Sequence, residues 1–374
     1  MKIQFALLLL GALISVSLVP TQSFSQAIVL RDLSLIENAK IARFDESGVE
    51  LADQRKLNWD EIFSADHPDE AFHELHRRLS TPLYRLKRRF QNRDYAAAIE
   101  PAVTLQKEIK NQKSENYRLA VYAELVGRIR ESELELALVS LFRLLEVTGN
   151  PTDISPWVKQ AQVKVDLESG FCDQLSPIFF DAEKSRNAMK LLGLKQSPDS
   201  SEWLPAQFVY ATAICSAATE TALAQKFAAK VDDSKLNSDW ERISAIQLSL
   251  ATNAEIDDLP RKINDQNSTM AKSMFQYLIG KSRLRADNLT EQKRGAIELL
   301  TVPAVFGTNQ PEVSAAALHE VIGWFEKGKH PQEVESLKAE LNSSFQHSFY
   351  GRKLRAEKTT HSNPRGSATS KSDN

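Results

Sequence analysis

From Asp69 onward the apolar residues fall three and four apart, the period of a helix that buries one face. Phe72, Leu75, Leu79, Leu83, Leu86 and Phe90 make one stripe, which Thr81 and Pro82 are expected to divide, Thr81 as an N-cap and Pro82 at the first helical position. Tyr95, Ala98, Ile99, Ala102, Leu105 and Ile109 make the next, with a kink or restart at Pro101. Leu134, Leu138, Leu141 and Leu145 make a third, which Ala137 and Leu144 widen into a helix covered on two sides, and Gly149-Asn150-Pro151 ends it. The same period predicts helices near 153–168, 175–192, 203–217, 219–230, 238–251, 268–285, 290–301, 311–327 and 331–345, joined by short polar loops. About a dozen short helices in series, none able to bury its stripe alone, predict stacked helical hairpins, an α-solenoid.

Ahead of the helices the period is two. Lys40-Ile41-Ala42-Arg43-Phe44, the turn Asp45-Glu46-Ser47-Gly48 and Val49-Glu50-Leu51 predict a hairpin. A second turn at Ala52-Asp53-Gln54 leads to Arg55-Lys56-Leu57-Asn58-Trp59, and Ile28 to Leu35 supplies material for a further strand. So short a sheet is marginal alone, and it is expected to pack on the helices that follow. The first 27 residues look like a secretory signal: Lys2, an apolar run from Phe5 to Val19, then Pro20 and polar residues. That run is short for a membrane span of about 20 residues. Small residues allow cleavage after Ser25 or after Ala27, and an uncleaved anchor is the competing reading. The expected layout is a signal peptide over 1–27, a small β module over 28–65, a helical-repeat domain over 66–356 and a disordered tail over 357–374.

Composition agrees with helices. Only 13 glycines occur, about half the usual share of about 7%, and tight-turned α/β folds need more. Lys plus Arg (47) nearly cancels Asp plus Glu (49), so no global field draws the chain to nucleic acid or an anionic membrane. Two cysteines, Cys172 and Cys215, exclude a CxxC pair or a four-cysteine zinc site. In an oxidising compartment they either form one disulfide or remain two small buried side chains, and both readings stand.

Two stretches resemble the tetratricopeptide repeat family. Arg93-Asp94-Tyr95-Ala96-Ala97-Ala98-Ile99 is similar to the turn and second-helix start of such a repeat, with Arg93 where glycine is usual. Ala315-Ala316-Ala317, the turn Gly328-Lys329-His330-Pro331, then Val334, Leu337 and Leu341 resemble the terminal repeats of bacterial tetratricopeptide-like proteins. Phe345 to Tyr350 sits where those repeats carry an aromatic turn, here without its proline. Trp59-Asp60-Glu61-Ile62 is similar to the closing motif of small β modules near the start of exported bacterial proteins. The resemblance implies a mainly α protein, a helical-hairpin (tetratricopeptide-like) α-solenoid with a small N-terminal β segment, in the bacterial cell envelope, that binds a protein or peptide.

Motifs for chemistry are sparse. Gly323 to Lys329 fits GxxxxGK, but His330 replaces the magnesium-ligating Ser or Thr, and Trp324-Phe325 sits where bare backbone must cradle phosphate; a helix C-terminus at Gly328 is expected. His67, His73 and His76 cluster without the spacing of HExxH or a third ligand, so a solvated helix face is expected and no metal. Asp232-Asp233 and Asp257-Asp258 read as interhelical turns, and Trp157, Trp203, Trp240 and Trp324 mostly as core. Arg77, Arg78, Arg85, Arg88 and Arg89, with Lys87 and Arg93, form the densest cationic run, placed off the apolar stripe. These five arginines are the candidate partner-binding residues, against the plainer reading of a solubilising surface paired with Asp69, Glu74 and Asp94.

The expected function is therefore that of a periplasmic or extracellular scaffold that binds a protein or peptide without catalysis, cofactor, metal or nucleic acid, with membrane-surface contact not favoured. The alternative is an α/α-fold enzyme acting on cell-envelope polysaccharide, whose carboxylates need only converge in space.

Overall fold

A computed structural model describes residues 26–147, 154–178, 181–194, 203–232, 238–252 and 268–361. The chain divides into two compact units, residues 1–81 and 82–374. It is mainly α, with a small N-terminal β segment.

In the first unit β1 (Gln26–Leu30), β2 (Leu35–Ala39), β3 (Ile41–Asp45), β4 (Gly48–Leu51), β5 (Lys56–Leu57) and β6 (Ile62–Ala65) form two three-stranded antiparallel sheets, ordered β2-β1-β6 and β3-β4-β5. The expected hairpin is β3–β4, closed by Asp45 opposite Gly48. Sheets this small need an apolar lid, and Trp59 supplies part of it. Its ring is fully buried, its indole N–H donates to the Asp45 carbonyl at 2.8 Å, and it meets the Phe72 ring edge to face with 5.2 Å between ring centres. Phe72 lies on the first half of α1 (Glu70–Gln91), where His76 Nε2 and the Ser80 hydroxyl also reach the Ile62 carbonyl, at 3.2 and 3.0 Å. That half of α1 therefore belongs to the compact unit of the strands, which extends to Thr81. The helix is continuous through Pro82, against the expected division at Thr81. Proline removes one i→i−4 bond, and the full burial of Leu79, Leu83 and Leu86 along the continuous helix offsets that loss.

The second unit contains α2 (Tyr95–Glu108), α3 (Glu115–Arg130), α4 (Leu134–Val147), α5 (Ser155–Ala161), α6 (Ala182–Leu191), α7 (Pro205–Ala217) and α8 (Thr221–Asp232). It continues with α9 (Ser238–Thr252), α10 (Thr269–Leu284), α11 (Leu289–Phe306), α12 (Pro311–Lys327), α13 (Pro331–Ser344) and α14 (Phe349–His361). Most helix contacts join elements one or two places apart along the chain, and α4 also meets α7, three places on. Helix α3 is buried on all sides from Asn116 to Gly127, and α7 from Ala206 to Ser216, whereas others, such as α1, pack an apolar stripe. Local signals set many of the helix starts. Arg93 takes the left-handed conformation at φ 58° where glycine is usual, and the Asp94 side chain caps α2 by accepting the Ala97 N–H. The α12 C-terminus lies at Lys327 with Gly328 as its cap, so the GxxxxGK stretch is helix and no phosphate loop.

Two expectations are corrected. The helix expected over 153–168 is only Ser155–Ala161, because Gln162 turns left-handed at φ 59° and ends it, and residues 162–178 are irregular with one bridge, Val165 opposite Cys172. The helix expected over 175–192 accordingly starts only at Ala182, after the Asp181 cap. Helix α14 runs from Phe349 to His361, overlapping the start of the tail expected from residue 357, and residues 362–374 lie outside the described range, as do 1–25.

Gly280 and Gly295 let α10 and α11 approach backbone to backbone. A Cβ on Gly295 would lie 2.6 Å from the Gly280 carbonyl oxygen and 2.7 Å from the Leu284 nitrogen, both rigid atoms. Gly295→Ala is expected to destabilise the protein by about 1–3 kcal/mol in urea denaturation, the usual cost of overpacking. A loss below about 0.5 kcal/mol, the range of ordinary surface changes, would show that the two helices part without strain.

Candidate functional site

A non-helical run inside a helical array leaves peptide groups that no helix ladder satisfies, and buried ones must find other partners. In residues 162–178 those partners are side chains from four helices. Tyr122 of α3 donates to the Val163 carbonyl at 2.7 Å, Tyr210 of α7 to the Leu175 carbonyl at 2.6 Å, Gln247 of α9 to the Pro177 carbonyl at 3.0 Å, and the Gln310 amide, at the cap of α12, to the Asp173 carbonyl at 3.0 Å. The Tyr210 oxygen also accepts the Cys172 N–H at 3.3 Å, and the Gln310 oxygen accepts the Ser176 hydroxyl at 2.7 Å. Burial pushes the Tyr122 and Tyr210 phenols well above their usual range, so both remain neutral donors at all ordinary pH.

This run forms part of the wall of a crevice of about 1390 Å3, also lined by the ends of α3, α5 and α13 and by the starts of α10 and α12. The volume suits an extended segment of polymer. Phe171 and Trp240 line it, stacked on each other at 4.3 Å, so the Trp240 ring is 6% exposed and offers no open face. Lys159, Lys164 and Asp173 are exposed there and make no ion pair among the described residues. Arg130, though exposed, is already engaged, donating to the Ala161 carbonyl at 3.0 Å and lying over the Tyr95 ring. Asp166 holds its own turn, accepting the Ser169 hydroxyl and the Glu168 N–H, which lower its pKa.

At one end the crevice is closed by polar contacts between residues far apart in sequence. The Ser132 hydroxyl, between α3 and α4, lies 2.8 Å from Glu312 Oε1 and 2.5 Å from the His347 carbonyl, and donates to one or the other. Glu312 Oε2 accepts the Phe349 N–H at 3.1 Å. Arg352 of α14 pairs with Glu131 at 2.9 Å and donates to the Arg130 carbonyl at 2.6 Å. Burial raises the Glu312 pKa against the lowering effect of these donors and of Arg352, and Glu135 close by raises it further. Glu135, 5% exposed, is itself raised by burial, with Lys184 opposing and Asp181 and Glu133 reinforcing the shift.

The sequence-chosen residues lie elsewhere. In the first unit Arg77 pairs with Glu70 at 3.2 Å, and Arg78 with Glu74 at 3.4 Å and Glu46 at 3.9 Å. In the second, Arg89 pairs with Asp94 at 2.6 Å, while Arg85 and Arg88 are exposed without an ion pair among the described residues. Three of the five arginines are thus already matched locally, which narrows the cationic surface to two. Cys172 and Cys215 are free thiols, each buried and pushed up to about 12, so the disulfide alternative is not formed in this structure. His67, His73 and His76 gather around the Phe72 ring instead of facing solvent; His73 Nε2 and His76 Nε2 meet backbone carbonyls, and burial lowers the pKa of His67 and His76. Among the described residues no group of His, Cys, Asp and Glu is placed to hold a metal ion. Of the tryptophans only Trp240 meets the crevice; Trp157 packs on Phe90 and Trp203 on Phe142. Asp233, Asp257 and Asp258 lie outside the described residues. No family model, no curated protein and no solved structure matches this chain.

The raised carboxyls carry a pH signature. A group whose folded pKa lies above its unfolded value supports the fold fully below the unfolded value, 4.5 for these residues, and loses that support as pH rises through the folded value. The double variant Glu135→Gln, Glu312→Gln mimics the protonated pair at every pH. Its urea midpoint, measured relative to the wild type, is expected to rise between pH 4 and pH 7, and a difference independent of pH would contradict the assignment.

Proposed function

We propose that the chain is an exported, tetratricopeptide-like scaffold that binds an extended segment of another protein in the crevice of its second unit and performs no chemistry there. The carrying observation is the crevice itself, about 1390 Å3 bounded by helix ends and an anchored irregular run, with Lys159, Lys164 and Asp173 left unmatched on its wall. Both charge signs beside amide and hydroxyl groups such as Gln162, Gln174, Thr269 and Asn309 suit the backbone and side chains of a peptide. The polysaccharide-enzyme alternative has less behind it. Of the three carboxylates on the crevice, Glu312 and Asp166 are occupied with holding neighbouring turns, and the Trp240 ring that would stack on a sugar is covered by Phe171. Export rests on the signal-like segment over 1–27, and the repeat reading on the succession of neighbour-packed helices together with the Asp94-capped turn.

The crevice reading is tested with a displayed peptide library selected against the wild-type protein. Gln174→Trp and Asn309→Trp narrow the crevice from two sides at side chains that are not fully buried. Selected peptides are expected to lose at least about tenfold in affinity for the double variant, about 1.4 kcal/mol. Arg85→Glu, Arg88→Glu, on the cationic patch, is expected to leave them unchanged. Peptides insensitive to the tryptophans but lost on charge reversal would move recognition to the arginine surface.

A further inference from the structure

The helices of the second unit are joined in two different ways. Along the chain, neighbouring helices pack through buried apolar side chains, as α12, α13 and α14 do around Leu318, Ile322, Val334 and Leu341. Across the crevice mouth, between the α3–α4 turn and the α12–α14 end, no substantial helix contact exists among the described residues. What bridges that gap is polar: Ser132 to Glu312 or to the His347 carbonyl, and Arg352 to Glu131 and to the Arg130 carbonyl. The residues joined are 180 to 222 positions apart, so the bridge closes the array on itself and is no part of a local turn.

Polar bridges and apolar packing respond differently to opening. Separating packed apolar faces exposes them to water at a cost proportional to area, whereas these donors and acceptors would exchange partners with water at a small net cost. Water reaches the Arg352–Glu131 pair directly, and the Ser132–Glu312 contact only from the crevice side. Arg352 and Glu131 have side chains 32% and 37% exposed, and Glu312, Ser132 and His347 line the crevice directly. The Glu312 carboxylate also sits less comfortably closed than free: burial and the nearby Glu135 oppose its charge more than Ser132, Phe349 and Arg352 support it. An ionised Glu312 therefore favours release.

We propose that the Ser132–Glu312 and Arg352–Glu131 contacts form a releasable seam at which the second unit opens to admit a segment into its crevice. This rests on the crevice being the binding site, but the seam is a property of the protein alone and is tested without a partner. Opening at the seam widens the mouth while leaving the packing between neighbouring helices intact. A segment bound inside would hold the α3–α4 turn and the α12–α14 end together from within. The seam then selects for ligands long enough to reach both sides.

The test is a spin-label distance across the seam. Ala96→Cys at the start of α2 and Lys353→Cys on α14 are exposed positions on its two sides, and the native thiols are buried and stay unlabelled. The parent protein is expected to give one narrow distance distribution at pH 7. Adding Ser132→Ala and Arg352→Ala is expected to broaden it toward longer distances by several ångström while the far-ultraviolet spectrum stays helical. An unchanged narrow distribution in the folded variant overturns the proposal, as does a broadening accompanied by loss of helix. Should the double substitution fail to fold, Arg352→Ala alone, at the exposed end of the seam, is read by the same two outcomes. A broadened distribution in a protein whose crevice binds no peptide would leave the seam standing and remove only the crevice reading.

Discussion

The second unit depends on satisfying the backbone of residues 162–178. A buried peptide group without a hydrogen-bond partner costs about 1–3 kcal/mol, and this run has several that cannot use a helix ladder. Tyr122, Tyr210, Gln247 and Gln310 each donate to one of its carbonyls, and they come from α3, α7, α9 and the cap of α12. One irregular segment is thereby the common partner of helices that are otherwise scattered along the chain. It also explains why α3 and α7 are buried on every side: each carries a tyrosine whose ring packs in the core while its hydroxyl reaches inward to the same run.

The crevice follows from this arrangement. An array of neighbour-packed helices has an inner surface, and an anchored irregular run across that surface turns it into a bounded wall instead of a smooth groove. The wall keeps Lys159, Lys164 and Asp173 unmatched because the local backbone geometry, with Gln162 left-handed and the Val165–Cys172 bridge, sets them on exposed positions. Two of the crevice carboxylates, Asp166 and Glu312, are occupied in holding turns. Under the proposed scaffold reading, such a surface would recognise a peptide by shape and by distributed polar contacts.

Much of the architecture is legible in the residue pattern. The stripes Phe72–Phe90, Tyr95–Ile109 and Leu134–Leu145 and the helices expected from 203 to 345 match α1, α2, α4 and α7 to α13, and alternation around Ser47-Gly48 marks β3 and β4, whereas α3, whose apolar residues lie on all its faces, and α14 stand outside that reading. Pro82 misleads because the rule for proline in helices is local, whereas the burial of Leu79, Leu83 and Leu86 is tertiary. Residues 162–178 read as helix only if Val163-Lys164-Val165-Asp166-Leu167 is forced into a period of 3.6. Its alternation was the available signal for an extended run. The crevice and its seam leave no trace in one dimension, since Ser132, Gln310, Glu312 and Arg352 are ordinary turn and helix-end residues until the fold brings them together. The arginine run, by contrast, is conspicuous in sequence yet largely neutralised by Glu70, Glu74, Glu46 and Asp94, two of which lie within five residues of their partners.

If the irregular run is the anchored centre of the second unit, its amides should be among the slowest to exchange with deuterated solvent, despite lying outside regular structure. Hydrogen exchange read by mass spectrometry over peptides spanning 163–178 is the direct measurement. Protection of the Cys172, Asp173 and Leu175 amides comparable to that of α3 and α7, collapsing in a Tyr122→Phe, Tyr210→Phe variant, is the expected result. Exchange in the wild-type protein as fast as that of an exposed loop would contradict the account.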